Sequence, residues 1–431
     1  MSTQAATVRE TKPAAGSGFH TAFIVAWLFC LLFYFIEYSM RSAPSVMLPE
    51  LRAAFGLTPV GLSSLIGLYY YTYAAFAIIT GAAVDRWGAK YTVPLGVLVL
   101  AAGAAMFGVN VSWVASLGRL LQGAGSAIAF IAAVYLASHG LPGRYLATAI
   151  GITQCVGMLG GSAGQFVVAP LIHGPLDWQQ FWIFAGAATL VIAVAMFIVT
   201  PRETQPDSKA SIWSTFAPYK IVLANPQSYL CGLCGGLLFL PTTVGAMTWG
   251  VSILQEGWQL GYGESVDRAA VVALGWAFGC PILGYLADRI GRRKPVIIAG
   301  SALMLIATLA IFYLPPQTFP PYVLAFLLGF GSGAAMIPYS VIKEVNPDNA
   351  KGSATGAMNF LVFVMSALVA PAFGWWLQKL ANGGPLTEQV FSTAGSVFVA
   401  AIVLAVIVTA FLKETGSASR QADNSLQASR A

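Results

Sequence analysis

Apolar residues fill this chain in long runs, broken only by short polar or Gly/Pro turns. The runs fall near 23–48, 60–84, 91–110, 113–137, 145–172, 178–199, 227–254, 269–286, 295–314, 320–342, 354–377 and 389–412. At a rise of ~1.5 Å per residue, about 20 residues cross a hydrocarbon core of ~30 Å, so each run predicts one membrane-spanning helix. The number of runs is even, which puts both chain ends on one side. One long polar interruption, 201–226, divides the runs six and six. It reads as a linker, with a short interfacial helix around 212–223. The predicted organisation is a tail over 1–18, a six-helix bundle over 19–200, the linker over 201–226, a second bundle over 227–412 and a tail over 413–431.

Composition agrees with this pattern. The chain is 57% hydrophobic and 9% charged, against about 25% charged in soluble domains. That excludes a soluble protein and predicts an all-α integral membrane fold. No cleavable signal peptide is expected, because residues 1–18 are polar and the first apolar run is too long for a signal core. The formal net charge of +6 could suggest a nucleic-acid partner, but its distribution gives a simpler account. With the amino terminus inside, Arg86, Lys90, Arg144, Arg289, Arg292, Arg293, Lys294, Lys343 and Lys351 all fall on one side, while Arg52, Arg268 and Lys379 fall on the other. This is the positive-inside bias of an inner-membrane protein with both termini cytoplasmic. Nucleic acid is not an expected partner. The five cysteines lie in apolar runs, and Cys231-x-x-Cys234 has no second ligand pair, so it reads as helix packing rather than a metal or redox site.

The two halves echo each other. Gly81, Asp85, Arg86, Gly88 and Lys90 after the second run return as Gly284, Asp288, Arg289, Gly291 and the basic stretch from Arg292 after the eighth. Gly123 and Gly125 return as Gly329 and Gly331, and the segment opened by Arg144 returns at Lys351. Landmarks repeating at nearly one offset indicate a duplication, and parallel six-helix repeats build one large class of transporters.

The repeated G-x-x-x-D-R-x-G-x-[KR] resembles the cytoplasmic signature of the major facilitator superfamily, and the resemblance runs from about Phe19 to Leu412. It implies twelve transmembrane helices in two pseudo-symmetric bundles. It also implies that Gly81, Asp85, Arg86, Lys90, Gly284, Asp288, Arg289 and Arg292 are conformational latches. The glycines would allow close helix approach, and the carboxylates would face helix N-termini. Arg119-x-x-Gln122-Gly123-x-Gly125 resembles the family's R-x-x-Q-G-x-G pattern in the fourth span. Arg119 could tie backbone carbonyls or help a proton move. Gly157, Gly160, Gly161 and Gly164 in the fifth span read as tight packing. The family's drug/proton antiporters carry G-P-x-x-G-G there, whereas here Ser162 and Phe166 stand in place of the proline and the last glycine.

The candidate chemistry starts at Glu37 and Arg41 in the first run. Charges at that depth are costly and by default mark a pathway or binding site. Spaced i, i+4 with the acid first, they can pair along one helix face; the plain alternative is a pair that only neutralises itself. A buried carboxyl can gain and lose a proton near neutrality while arginine stays charged, so Glu37 is the candidate proton carrier. Arg41 is the candidate anion anchor because its planar fork matches a carboxylate. Pro49, eight residues after Arg41, resembles the first helix of the superfamily's organophosphate antiporters. Those add an arginine in the seventh helix, and the span from 228 to 254 has none. The run 37–51 with Tyr69-Tyr70-Tyr71-Thr72-Tyr73 is similar to a bacterial group that includes amino-acid importers of intracellular pathogens.

The sequence therefore predicts a secondary active transporter of a small organic anion or zwitterion, proton-coupled through Glu37 and Arg119. Arg41, Tyr69, Tyr73, Gln154, Thr243, Tyr339 and Asn359 are the candidate substrate contacts. An exporter of amphiphiles, or a non-transporting sensor on the same fold, is the alternative. No cofactor, metal-ligand cluster, catalytic group or phosphate loop is expected. Partners are a small molecule, protons and lipid, and the protein is expected to be a monomer.

Overall fold

The computed structural model describes residues 19–202, 216–315, 320–347 and 350–416. Both tails (1–18 and 417–431) and linker residues 203–215 lie outside the described residues, as do the side chains of Asp85 and Arg144. Among the described residues there are twelve helices long and apolar enough to cross a membrane, and no strand. We label these spans α1 to α12 in chain order: Thr21–Val46, Pro59–Val84, Ala89–Phe107, Ser112–Gly140, Thr148–Ile172, Trp178–Val199, Pro226–Gly257, Tyr262–Ile290, Lys294–Tyr313, Pro321–Glu344, Lys351–Ala381 and Glu388–Phe411. A linker helix, Ala217–Ala224, precedes α7.

Four differences from the sequence reading have local causes. A separate short helix, Leu48–Phe55, follows α1, because Pro44 turns the chain into a 3-10 stretch and Pro49 then starts a new helix, which Gly56 closes at φ 61°. The helix that forms α8 begins at Tyr262, ahead of the apolar run, because the charges in its first turns sit at a helix end. Glu264 there pairs with Arg268 one turn on. The linker helix starts at Ala217, and 212–215 lie outside the described residues. Finally, α7 leaves regular α geometry at Pro241 and runs as π-helix through Trp249, then again over Ile253–Gly257. The Thr248 hydroxyl donates to the Thr243 carbonyl five residues back, at 2.9 Å. π-Stretches inside helices are concentrated at functional sites.

The duplicated glycines make matching joints. A Cβ on Gly123 of α4 would lie 2.0 Å from the Tyr69 carbonyl oxygen of α2, and one on Gly329 of α10 would lie 1.8 Å from the Val272 carbonyl oxygen of α8. Gly125 and Gly331 face the Gly96 oxygen of α3 and the Gly300 oxygen of α9 at 2.5 and 2.6 Å in the same sense. Helices thus meet backbone to backbone at equivalent places in both halves, the packing that small residues permit in a bilayer. In the first half α5 lies as close on α1, with Gly160 and Gly164 against the carbonyls of Phe35 and Ser39.

The halves meet unequally along their length. Towards the end opposite the linker, polar contacts cross between them. Tyr262 Oη donates to the Val46 carbonyl at 2.8 Å, Trp249 Nε1 to Ser63 Oγ at 3.0 Å, Gln165 Nε2 to the Ala246 carbonyl at 3.0 Å and Ser162 Oγ to the Ala270 carbonyl at 3.0 Å. Arg52 approaches Glu256 at 3.9 Å on the same end. Towards the linker end the halves enclose a vestibule of about 880 Å³, lined by residues such as Gly81, Val134 and Ser138 on one side and Lys343, Ser353 and Gly356 on the other. Beyond those contacts the far end is also recessed, between Pro49, Arg52 and Gly56 of the first half and Gln255, Gln259 and Glu388 of the second, so the centre of the molecule lies between a recess at either end.

Replacing Gly329 by Ala forces its methyl into the Val272 carbonyl. The expected cost is about 1–3 kcal/mol, read as a lower melting temperature in detergent. Gly284→Ala, where an added Cβ meets nothing within 4 Å, leaves the melting temperature within error.

Candidate functional site

The first charged pair forms on one helix face as its spacing requires. Glu37 and Arg41 on α1 are fully buried and joined through Oε1 and Nη2. A third partner comes from α2: Tyr69 Oη also donates to Glu37 Oε1 and accepts from Arg41 Nε at 3.2 Å. Arg41 sits among rings, with its Cζ 4.0 Å from the ring centroid of Tyr38, 4.7 Å from Tyr73, 5.0 Å from Phe363 and 5.1 Å from Tyr69. Aromatic faces attract a cation and exclude water, which suits a guanidinium held in oil. Glu37 Oε2 and Arg41 Nη1 are left buried with no hydrogen-bond partner in the protein.

Arg119 takes the carbonyl-tying role. Its Nη1 donates to Gln122 Oε1 at 2.6 Å and to the Met40 carbonyl at 3.5 Å, and its Nη2 donates to the Ile66 carbonyl at 3.3 Å. Gln122 Nε2 in turn donates to the Gly103 carbonyl at 3.1 Å. One guanidinium thereby joins α4 to α1, α2 and, through Gln122, α3. Its Cζ lies 5.0 Å from the Tyr69 ring, so Tyr69 stands in contact with both arginines.

Beside this cluster lies a small central cavity between the halves, nearly filled by its lining side chains. The first half contributes Tyr34, Tyr38, Tyr73, Phe130 and Gln154, and the second contributes Phe239, Trp276, Tyr339, Asn359 and Phe363. Tyr34 Oη donates to Gln154 Oε1 at 2.9 Å, and Tyr339 Oη to Asn359 Oδ1 at 2.6 Å. Phe130 also lines the vestibule, so its ring separates the two spaces. Of the predicted contacts, Tyr73, Gln154, Tyr339 and Asn359 line the cavity. Arg41, Tyr69 and Glu37 are one ring removed from it, behind Tyr38 and Tyr73. Thr243 is placed elsewhere: its hydroxyl donates to the Phe239 carbonyl at 3.1 Å and meets Ser366 Oγ at 3.1 Å, an interhelical packing contact. Tyr34, Tyr38 and Trp276 were missed. The tyrosines had a signal, since they share the helical face of Glu37 and Arg41, but Trp276 lies among small apolar residues that give none.

The latch residues separate into two sets. Lys90 Nζ donates to the Phe197 carbonyl at 2.6 Å, at the last turn of α6, and Lys294 Nζ donates to the Ala410 carbonyl at 2.8 Å, at the last turn of α12. Each half thus closes its ring of helices with a lysine on a helix C-terminus, where backbone carbonyls are unpaired and the dipole is negative. In the second half the charge network centres on Arg293, not on Arg292. Arg293 contacts Asp288 at 2.5 Å and Glu344 at 2.8 Å, and its backbone N–H donates to Glu414 at 2.6 Å. Burial opposes its charge, but hydrogen bonds to Glu344 and Asp288 outweigh that and hold its pKa above the usual arginine value. Arg292 is exposed and only approaches Glu414 at 3.6 Å, and Arg289 donates to Tyr285 Oη at 3.4 Å. Gly284 has no neighbour to admit, whereas Gly81 faces Tyr219 Oη of the linker helix at 3.4 Å. Arg86 lies in the last turn of its helix.

This arrangement of twelve spans, repeated joints and a ring-lined central cavity agrees with the comparisons. The sequence matches the family profile of the Major Facilitator Superfamily over residues 30–371 and again over 281–424. The chain belongs to the major facilitator superfamily. It is 23% identical to the cis,cis-muconate transport protein of Acinetobacter baylyi, over 91% of this chain and 95% of that one. It is also 23% identical to the membrane sensor protein UhpC of Escherichia coli K12, over 83% and 85% of the two chains. Among solved structures it resembles a bacterial homolog of the human lysosomal transporter Spinster in an inward-facing, unoccupied conformation. That match has a TM-score of 0.70 and 17% identity, and covers 92% of this chain and 97% of that one. As a member of this superfamily the chain is a membrane transporter and not an enzyme.

Arg293→Ala removes the group shared by Asp288 and Glu344. The expected loss is about 1–3 kcal/mol of stability, against less than about 0.5 kcal/mol for exposed Arg292→Ala; melting curves in detergent separate the two.

Proposed function

We propose that this protein carries a small organic anion of the carboxylate class across the membrane by alternating access, with proton coupling through Glu37. The observation that carries the reading is an imbalance of buried charge. Beside the central cavity two guanidiniums are buried, Arg41 and Arg119, with a single buried carboxylate, Glu37, which is paired to Arg41. With Glu37 ionised, the cluster has one positive charge more than its protein partners cancel. An anionic cargo supplies the missing charge, and Arg41 Nη1 is the buried donor left to receive it.

In this conformation Tyr38 and Tyr73 stand between Arg41 and the cavity, so cargo reaches the guanidinium when one of these rings turns aside. Glu37 shares the same guanidinium and the Tyr69 hydroxyl, so a proton on Glu37 releases Arg41 for the cargo carboxylate. That exchange couples the two substrates. Arg119, with its carbonyl partners, positions α4 and steadies Tyr69 and takes no part in proton movement. The likeness to a muconate transporter supports the carboxylate class. The excess of basic residues at the linker end supports a cytoplasmic position for that end.

The likeness to a membrane sensor keeps a second reading in view: the same site would bind an anion without moving it. Purified protein in liposomes with cis,cis-muconate decides between them. Transport predicts exchange of labelled cargo across the vesicle membrane, whereas a sensor gives a thermal shift with ligand and no exchange.

Arg41→Ala is expected to weaken carboxylate binding by about 10- to 100-fold, the worth of a charged hydrogen bond, read by thermal shift against ligand concentration. Glu37→Gln keeps exchange at equilibrium but makes uptake indifferent to an imposed pH gradient; uptake in this variant that still follows the gradient assigns coupling to another group.

A further inference from the structure

The second half of the molecule also presents unused hydrogen-bond donors to the cavity. Trp276 of α8 and Asn359 of α11 are 1% and 3% exposed, and both line the central cavity. Trp276 Nε1 and Asn359 Nδ2 have no hydrogen-bond partner in the protein. Tyr339 Oη occupies Asn359 Oδ1, which fixes the amide so that its donor is the atom left over. Buried donors normally find partners, because leaving one unpaired forfeits its hydration. Two in one small cavity, on different helices, point to a ligand that accepts from both.

These donors are on α8 and α11, while Arg41 approaches the cavity from α1. Rings join the two ends: Phe239 lies 5.7 Å from Trp276 and 5.8 Å from Phe363, and Phe363 lies 5.0 Å from Arg41 Cζ. A chain of aromatic faces suits a flat, unsaturated body between two polar ends.

We propose that Trp276 and Asn359 form the second end of the cargo site, and that the preferred cargo is a planar unsaturated acid with a second carboxylate at the end away from Arg41. The proposal rests on the organic-anion reading above and adds the specificity-determining groups of the second half. A cargo held at both ends touches both halves, so it draws them together around itself.

Two probes isolate the second carboxylate: trans,trans-muconate and sorbate share a six-carbon diene acid, and sorbate has a methyl group where muconate has its far carboxylate. The readout is the ratio of their affinities, from thermal shift titrations of the full chain and checked by competition for liposome exchange. Wild type is expected to prefer muconate by about tenfold or more. Trp276→Phe, which keeps a ring, and Asn359→Ala each bring the ratio close to one. Asn359→Asp places a carboxylate against the far end and takes the ratio below one. Unliganded melting temperatures confirm folding, and Asn359→Ala carries the test if Trp276→Phe does not fold. A wild-type ratio near one, or a preference that survives in both variants, overturns the proposal and leaves the anion reading standing. If neither probe binds wild type, the anion reading falls and takes this proposal with it.

Discussion

Charge buried in a membrane must be answered from within the protein, and the first half of this molecule is arranged around that requirement. Two guanidiniums and one carboxylate sit together at the meeting of α1, α2 and α4. Each contact that steadies them also fixes a helix. Arg119 donates to carbonyls of both α1 and α2, and Tyr69 joins the carboxylate of α1 to the body of α2. Such groups are costly where they are only half satisfied, so the helices around them have little freedom to slide. The cluster is therefore part of the scaffold and part of the site at once, with Tyr38 and Tyr73 as the surface it shows to the cavity.

The duplication gives both halves the same joints and then lets their chemistry diverge. Gly123 and Gly329 admit the same kind of backbone contact, and Lys90 and Lys294 close the two rings of helices in the same way. Around these shared fixtures the first half holds buried charges and the second holds neutral donors. The second half also has the Arg293 network, in which Glu414 from the end of α12 reaches the start of α9. Its seventh span is the irregular one. The π-stretch of α7 lies beside the contacts that seal the far end, Trp249 to Ser63 and Ala246 to Gln165. A helix already out of α register there can change its hydrogen-bonding pattern at small cost when that seal opens.

The sequence made the architecture legible because a bilayer forces apolar runs of one length, and because the duplicated glycines and acidic turns are visible at fixed spacing. It also showed the Glu37–Arg41 pair, since four residues on a helix is a contact. What it could not show were partners brought together only by folding. Tyr69 was a candidate substrate contact, yet nothing local pairs its hydroxyl with Glu37. Trp276 gives no signal within an apolar run. Arg292 and Arg293 differ by one residue, and only the helix-start geometry decides which turns inward. Thr243 had the right composition for a cavity wall, but an irregular helix rotated it onto Ser366. The start of α8 was hidden because hydropathy discounts charges that a helix end can place in water.

The unequal count of buried charges has an electrical consequence. A unit charge moved through 100 mV changes energy by about 2.3 kcal/mol. Alternating access leaves the cluster in place and shifts the aqueous boundary, and with it the voltage drop, from one side to the other. With Glu37 ionised the vacant carrier presents one positive charge to that drop. Once a proton on Glu37 has released Arg41, a dianion cancels the two guanidiniums, whereas a monoanion leaves one positive charge. The unladen return stroke is thus driven or resisted by the membrane potential, while a stroke laden with a dianion and a proton passes through the field as a neutral body.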